Sequence, residues 1–357
     1  MPFNIIRNDI TRVTADAIVN TANPEPVIGR GTDSAIYKAA GKEMLLAERR
    51  KIGPIDPGHA VATPAFNLDA RFIIHTVGPA WVDGRHGERE TLHACYRNSL
   101  DLAAGLKCTS IAFPLIATGS YGFPKDEALN IALEEIGRFL LTHEMTVTMV
   151  VFDTKALKLS EALVGGIEQY ISEHAAKSLL YEEYDGDLYP DIPCQGTLRR
   201  RPFNVPRMRP KPKPKADADY SDSAASEPVF PDLTGRKLDD VIAETGLSFQ
   251  QRLFELIDAS GMDDVTVYKK ANIDRKVFSR IRCKADYRPK KRTAIAFAVA
   301  LELDLTSMQD LLARAEIALS PSSRFDLIVT YFFANRIYDI YEINAALFKY
   351  GQPTLGE

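Results

Sequence analysis

Residues 15–41 read ADAIVNTANPEPVIGRGTDSAIYKAAG, and this stretch decides the fold of the first half of the chain. Its beginning is apolar and β-branched, which predicts a buried strand over residues 17–21 with the polar residues Asn20 and Asn23 at its end. Its end is a glycine-containing loop and an amphipathic, alanine-rich segment, which predicts a helix over residues 33–51. A strand, a glycine loop and a helix in this order are typical of a crossover unit in a parallel sheet.

The same alternation continues in both directions to about residue 175. We predict further strands over residues 3–7, 60–65, 72–77, 110–116 and 146–152, and further helices over residues 88–106, 125–141 and 156–174. Strands separated by helices of this length indicate an α/β fold, a three-layer α/β/α sandwich around a mostly parallel mixed sheet. Ligands of such sheets bind at the loops beyond the carboxyl ends of the strands.

The chain has 357 residues, enough for more than one domain. We predict the α/β domain over residues 1–175, a disordered linker over residues 176–235 and a separate all-helical domain over residues 236–357. The linker prediction rests on residues 199–215, RRRPFNVPRMRPKPKPK, because alternating Pro and Lys can form neither a helix nor a central strand. Periodicity in the last part predicts helices over residues 248–260, 264–271, 274–283, 291–302, 307–315, 322–334 and 340–348.

The composition is that of a soluble globular protein, with 45% apolar and 26% charged residues. Apolar runs are too short for a membrane-spanning helix, and the first residues do not read as a signal peptide. The four cysteines lie far apart, which argues against a disulfide framework or a zinc site. We therefore expect a cytoplasmic protein that needs no metal, no cofactor and no membrane.

Two glycine-containing loops can hold phosphate groups. Glycine lets backbone N–H groups converge on an anion, and a following helix adds partial positive charge. Two such loops suit a pyrophosphate better than a single phosphate. The first loop contains Gly29, Arg30, Gly31 and Thr32, and the second contains Thr118, Gly119, Ser120, Tyr121 and Gly122.

Polar side chains beside these loops can complete a binding site. Asn20 and Asn23 offer amides to sugar hydroxyls, Tyr121 can lie against a ribose, and Asp33 can orient or deprotonate a water molecule. Each residue also has a structural alternative: Asp33 as the N-cap of its helix, and the asparagines as turn residues. Their combined order and spacing favour the binding site.

Residues 1 to about 175 resemble a macrodomain, the ADP-ribose-binding α/β/α module. The resemblance runs from Asn8-Asp9-Ile10-Thr11 through the two loops to residues 150–153. Asn23 followed ten residues later by Asp33, with glycine between them, is similar to the signature of the hydrolytic subgroup. That subgroup removes mono-ADP-ribose from proteins or deacetylates O-acetyl-ADP-ribose.

The resemblance implies a role for each site residue. Asp9 and Ile10 would contact adenine and Phe152 would stack on it, while the two glycine loops would hold the pyrophosphate. Asn23 would position the distal ribose, and Asp33 would place the water that attacks an Asp or Glu ester or an O-acetyl ester. The implied partner is ADP-ribose or an ADP-ribosylated protein.

This chain departs from the hydrolytic pattern at three positions. The pattern usually has two glycines and an aliphatic residue before the aspartate, where this chain has Arg30, Gly31 and Thr32. Tyr37 stands where those enzymes commonly carry a histidine. These departures favour an alternative, an ADP-ribose reader or sensor that binds without turnover.

Residues 254–315 resemble the helix-turn-helix module of phage-repressor-like regulators. Residues 269–292 carry eleven basic and two acidic side chains in a chain whose net charge is −4, which supports DNA as a possible partner. A solvated or protein-binding surface is the alternative. The aromatic residues after position 322 read as core packing or as the interface of a homo-oligomer. The possible nucleic-acid-binding residues on the predicted helix 274–283 are Arg275, Lys276, Ser279, Arg280 and Arg282.

Overall fold

The computed structural model describes residues 2–152, 159, 161–184, 246–284 and 286–356. A sheet of six strands lies at the centre of the first part. The strands are β1 (Phe3–Arg7), β2 (Ala17–Thr21), β3 (Ala60–Pro64), β4 (Phe72–Thr76), β5 (Ser110–Phe113) and β6 (Thr146–Val151). Their order in the sheet is β1-β6-β5-β2-β4-β3. All neighbouring strands are parallel except β3, which pairs antiparallel with β4 at one edge.

Helices cover both faces of this sheet, because successive strand residues point to opposite sides. Ala17 and Val19 of β2 face one core and Ile18 faces the other. The first core receives α3 (Glu88–Gly105), α4 (Lys125–Thr142) and α5 (Glu161–Tyr184), and the second receives α1 (Thr32–Ala40) and α2 (Lys42–Ile52). The predicted three-layer α/β/α fold with a mostly parallel mixed sheet is confirmed.

Two predicted helix boundaries are wrong. The helix expected over residues 33–51 is interrupted at Gly41, whose φ of 105° turns the chain between α1 and α2. The helix expected over residues 156–174 begins at Glu161 and continues to Tyr184, into the segment predicted as a linker. The remainder of that segment, residues 185–235, lies outside the described residues.

The last part of the described chain is helical, close to the predicted boundaries. Side chains of Ser248, Asp263, Asp274 and Asp304 accept hydrogen bonds from backbone N–H groups in the first turns, which fixes where four of the helices begin. The helices are α6 (Phe249–Ser260), α7 (Asp264–Lys270), α8 (Arg275–Cys283), α9 (Lys291–Ala300), α10 (Leu305–Ala313), α11 (Arg324–Ala334) and α12 (Ile340–Lys349).

These helices and the α/β part form one compact unit of residues Met1–Ala175 and Gly246–Glu357. Phe3 N–H donates to Asn272 Oδ1 at 2.5 Å, and Asn272 Nδ2 donates to the Phe3 carbonyl at 3.0 Å. The Tyr268 hydroxyl donates to Glu144 Oε1 at 2.8 Å. Phe3 begins β1 and Glu144 precedes β6, so the helical part contacts the amino ends of these strands. Within this unit, the carboxyl ends of β1 and β6 lie away from these contacts.

Two glycines of the α/β part receive aromatic rings of the helical part. A Cβ atom on Gly137 in α4 would lie 2.9 Å from Tyr341 Cε2, and one on Gly166 in α5 would overlap the Tyr331 hydroxyl oxygen. Tyr331 and Tyr341, two of the aromatic residues after position 322, therefore pack against the α/β part. In the part of the chain that the structure describes, no helix is both long and apolar enough to cross a membrane.

Candidate functional site

An elongated cleft lies at the carboxyl ends of the central strands, as predicted from the parallel sheet. It consists of two cavities of about 270 and 390 Å³ that share Gly31, Thr32, Leu115 and Thr118. The loop before α1 thus forms one wall of both cavities, and the loop after β5 forms the other.

The cleft brings most of the predicted site residues together. Those lining the first cavity are Asn23, Gly29, Arg30, Gly31, Thr32, Asp33, Thr118, Gly119, Ser120 and Tyr121. Those lining the second cavity are Asp9, Ile10, Gly31, Thr32, Thr118 and Phe152. Asn20 and Gly122 line neither cavity. Gly122 instead closes a turn with its N–H on the Gly119 carbonyl at 3.1 Å, with φ at 67°.

Asp33 is buried at the floor of the first cavity, with 3% of its surface exposed. Helix α1 begins at Thr32 after an N-cap at Gly31, so Asp33 is not the N-cap. Its carboxylate accepts a hydrogen bond from Asn20 Nδ2 at 2.6 Å on Oδ1 and from Gly29 N–H at 2.5 Å on Oδ2. Both oxygens are therefore fixed from the protein side.

A side chain at position 29 would displace Asn23 and Asp33 from their observed positions. An added Cβ would lie 2.9 Å from Asn23 Nδ2 and 3.1 Å from Asp33 Oδ2. Without a Cβ atom, Gly29 donates its N–H to Asp33 and leaves room for the Asn23 amide. Asn23 in turn donates from Nδ2 to the Val27 carbonyl at 3.1 Å, which fixes its amide beside the cavity.

A chain of buried polar groups supports Asp33 from behind. Asn20 is fully buried, and its Nδ2 also lies 3.1 Å from His75 Nδ1. His75 Nε2 lies 3.0 Å from Thr63 Oγ1. Because Nδ2 is a donor, His75 Nδ1 acts as the acceptor, which assigns the ring proton to Nε2. The prediction that Asn20 contacts a sugar does not fit this burial. Asn20 instead donates to Asp33 and lies against His75.

Burial and neighbouring groups shift the pKa values of Asp33 and His75. Burial raises the pKa of Asp33, while the hydrogen bonds from Asn20 and Gly29 and the charge of Arg49 oppose that rise. Burial, with a contribution from Arg49, lowers the pKa of His75 to about 3, so this histidine is neutral. A raised pKa makes Asp33 a stronger base than an exposed carboxylate.

Two buried polar residues lie beside Asp33; sequence reasoning noted Tyr37 only as a departure from the hydrolytic pattern and missed Arg49. Tyr37 is 2% exposed, and burial, reinforced by Asp33, raises the pKa of its phenol to about 12. Arg49 is 1% exposed and donates to backbone carbonyls of the loop after β2. Tyr37 lies one helical turn after Asp33, and Arg49 lies one turn after buried Leu45, so helical periodicity was the available signal.

The second cavity combines an acceptor with an exposed aromatic ring. Asp9 Oδ1 accepts from Thr11 N–H at 3.0 Å and from the Thr11 hydroxyl at 2.8 Å, and these bonds lower the pKa of Asp9. Ile10 is buried beside it. Phe152, directly after β6, is 80% exposed and lines the cavity. A carboxylate acceptor and a free ring are the groups that bind a purine by its amino group and its face.

Helix α8 presents the predicted basic residues to solvent. Arg275, Lys276, Ser279 and Arg280 lie on its outer side, away from the helical core. Arg282 is exposed as well but forms an ion pair with Asp264. The opposite face of α8 packs into the helical core through its buried apolar residues, so the exposed basic side chains take no part in that packing. Those buried residues are Val277, Phe278 and Ile281.

Three side chains that could ligate a metal, Asp83, His86 and Glu88, lie close together in the described residues. Glu88 accepts hydrogen bonds from the N–H groups of residues 82, 83, 84 and 86. It therefore caps this loop, and the group lies outside the lining of the cleft.

The fold and cleft define an α/β/α ligand-binding domain, and comparison with known proteins identifies its family. The macro domain family matches residues 19–132. An O-acetyl-ADP-ribose deacetylase of Citrobacter rodentium is 44% identical over 167 residues, covering 45% of this chain and 94% of the relative. A macro domain-containing protein of Chlorobaculum tepidum is 47% identical over 156 residues, covering 43% and 90%. The solved Oceanobacillus iheyensis macrodomain with ADP is 39% identical, covers 43% of this chain and 84% of that chain, and has a TM-score of 0.41.

The chain therefore belongs to the macro domain family. The matched residues lie within the α/β part and include the loop from Asn23 to Asp33. Residues from 246 onward lie outside the match.

Proposed function

We propose that this chain binds ADP-ribose in the cleft and hydrolyses an ester on its distal ribose. The substrate is either a mono-ADP-ribosylated Asp or Glu side chain or O-acetyl-ADP-ribose. The observation that carries the proposal is the buried Asp33 carboxylate beside Asn23, at the floor of a cavity lined by both glycine loops. The relationship to deacetylases at about 44% identity supports the same chemistry.

The proposed orientation of the ligand follows the chemistry of the cleft. Adenine occupies the cavity of Asp9 and Phe152, and the pyrophosphate lies at the residues that both cavities share. There the N-terminus of α1 and the backbone of two loops supply N–H donors. The distal ribose then reaches Asn23 and Asp33, with Tyr121 beside it.

Hydrolysis in this geometry needs a positioned water. Each carboxylate oxygen of Asp33 accepts one protein hydrogen bond and keeps capacity for another. Water donates to Asp33 and adds to the acyl carbon, and the water proton passes to Asp33. The tetrahedral intermediate then expels the ribose oxygen, which takes up the proton, so that ADP-ribose and the free acid are released. Positioning and general-base action supply the rate enhancement.

The experiment measures release of ADP-ribose from a peptide mono-ADP-ribosylated on glutamate, and of acetate from O-acetyl-ADP-ribose. We expect wild type to release product and Asp33→Ala to be inactive, while its ADP-ribose affinity stays within about tenfold. Ser34→Ala, on the exposed side of the same helical turn, is the matched control and should behave as wild type.

The outcomes separate an enzyme from a reader. Product release by wild type but not by Asp33→Ala supports hydrolysis. ADP-ribose binding without release by wild type contradicts it and favours the reader, in which Arg30, Thr32 and Tyr37 mark the departure from hydrolytic relatives. Equal loss of binding and turnover in Asp33→Ala would assign Asp33 a structural role.

We also propose that the exposed basic face of α8 binds nucleic acid. Lys276 and Arg280 lie one helical turn apart and are solvent-exposed. Cations at this spacing on a free helix face can contact successive phosphates. The protein's net charge of −4 confines this attraction to the local surface.

Binding of a duplex DNA probe at about 50 and 200 mM salt tests this second function. The Lys276→Glu and Arg280→Glu double variant should lose most of the affinity at the lower salt concentration. Lys38→Glu and Arg50→Glu, cations on the surface of the α/β part, form the control pair. Absence of binding by wild type at low salt would favour the protein-binding or solvated alternative.

A further inference from the structure

Arg49 is among the most deeply buried large side chains of the described protein, with 1% of its surface exposed. It belongs to the run Arg49-Arg50-Lys51 at the end of α2, and its two neighbours are exposed. Arginine is rarely buried without a partner, because removing its charge from water is costly. Its position therefore needs an explanation that core packing does not provide.

The partners of the Arg49 guanidinium are backbone carbonyls. One amino group, Nη1, donates to the Gly53 carbonyl at the end of its own helix. The other, Nη2, donates to the Pro24 carbonyl at 3.1 Å and reaches the Asn23 carbonyl at 3.5 Å. Within the described residues it forms no ion pair with a carboxylate. The guanidinium thus ties α2 to the loop that carries Asn23.

The same loop is held from a second direction. Ile55 N–H donates to the Pro24 carbonyl at 2.9 Å, so this oxygen receives donors from both sides of Gly53. Fixing the Asn23–Pro24 backbone fixes the starting point of the Asn23 side chain, which lines the cavity beside Gly29. Arg49 itself does not line either cavity.

The charge of Arg49 also reaches the floor of the cavity. It opposes the burial-driven rise in the pKa of Asp33 and contributes to the neutrality of His75. The other titratable groups here are Glu25, whose charge acts on Arg49, Tyr37, on the same helix as Asp33, and Tyr121, whose phenol pKa is raised by burial and by Asp33. Both phenols are neutral near pH 7, so Arg49 supplies the cationic side chain that acts on Asp33.

We propose that Arg49 is a positioning residue for the reaction: its guanidinium fixes the Asn23 loop and its charge acts on Asp33, and neither effect requires contact with the substrate. The inference rests on the proposed hydrolysis. Two variants separate its two parts. Arg49→Lys retains the charge but loses the planar fork that spans the carbonyls, whereas Arg49→Gln also loses the charge. Arg50→Gln, the exposed neighbour, is the control.

The measurements are kcat and KM as functions of pH and the dissociation constant of ADP-ribose. We expect both Arg49 variants to lower kcat about tenfold or more, because a displaced loop misaligns Asn23. ADP-ribose affinity should stay within about threefold, because Arg49 lies outside the cleft lining. Only Arg49→Gln should move the acid limb of kcat to higher pH, by up to about one unit, because removing a cation raises the pKa of a nearby carboxylate.

The pKa of Asp33, measured by NMR from the chemical shift of its side-chain carboxyl carbon as a function of pH, distinguishes this inference from the proposed function. A higher Asp33 pKa in Arg49→Gln than in Arg49→Lys supports the charge effect, even if wild type proves to be a reader without turnover. Coincident Asp33 titrations in all variants overturn the charge effect. Wild-type kcat in both Arg49 variants would overturn the positioning role of Arg49. A loss of activity that parallels a lower melting temperature, with an unchanged pH profile, would also overturn it and would assign Arg49 a purely structural role.

Discussion

Adjacent glycines in α5 provide an internal test of the contact between the helical part and the α/β part. Gly165 has open space where a Cβ atom would lie, whereas Gly166 faces the ring of Tyr331 in α11. Alanine at each position has the same effect on the unfolded chain and on helix propensity. Any difference between the two variants therefore reports the packing of Tyr331 against α5.

The magnitudes follow from these contacts. Gly165→Ala should raise the free energy of unfolding by about 0.5–1 kcal/mol, because glycine is unfavourable within a helix. At Gly166 the added Cβ would overlap the Tyr331 hydroxyl oxygen and lie 3.0 Å from the ring carbon Cζ. Such overpacking costs about 1–3 kcal/mol. Gly166→Ala should therefore be less stable than Gly165→Ala by about 1–3 kcal/mol.

Urea denaturation followed by tryptophan fluorescence and by circular dichroism measures both variants against wild type. If the clash is the cause, Gly166→Ala should no longer be destabilising in a Tyr331→Ala background. Equal stabilisation by Gly165→Ala and Gly166→Ala would refute the reasoning, because it would mean that Tyr331 does not pack against α5 in solution.

Three further predictions concern single side chains. Asn272→Ala should lower the free energy of unfolding by about 2–4 kcal/mol in urea denaturation, because the buried N–H and carbonyl of Phe3 lose their partner; unchanged stability would contradict that contact. Asn20→Ala should move the acid limb of hydrolysis to higher pH, because losing a donor raises the pKa of Asp33; a profile that overlays wild type would show that Asp33 does not limit the rate. Phe152→Ala should weaken ADP-ribose binding by about 1–2 kcal/mol in calorimetry, and unchanged affinity would exclude stacking on adenine.

Much of the α/β fold was predictable because its signals are local. Strand and helix periodicities in residues 3–152 indicated the six strands and the parallel sheet, apart from the break at Gly41 and the ends of elements. Helix propensity alone did not reveal that break, because its cause is a backbone φ of 105°. The helical part was predicted equally well, since capping side chains such as Ser248 and Asp274 mark where its helices begin. The cytoplasmic location and the homo-oligomer stay predictions, as do the domain boundaries.

The candidate site was predictable where its residues are close in sequence. Asn23, Gly29 and Asp33 lie within eleven residues, so their spacing alone indicated that a glycine loop separates an amide from a carboxylate. The sequence did not predict which of these side chains would face the cavity. Asn20 and Asn23 look equivalent in the sequence, yet the first is fully buried against His75 and the second lines the cavity.

By itself the sequence determined the order of strands and helices, the two glycine loops and the basic helix face, because these depend on neighbours a few residues apart. The tertiary structure decided which polar groups are buried together. It placed Arg49 behind the Asn23 loop, His75 behind Asp33 and the Tyr331 ring on Gly166. Those contacts join distant segments, and their energies depend on burial and on distances that no local pattern encodes.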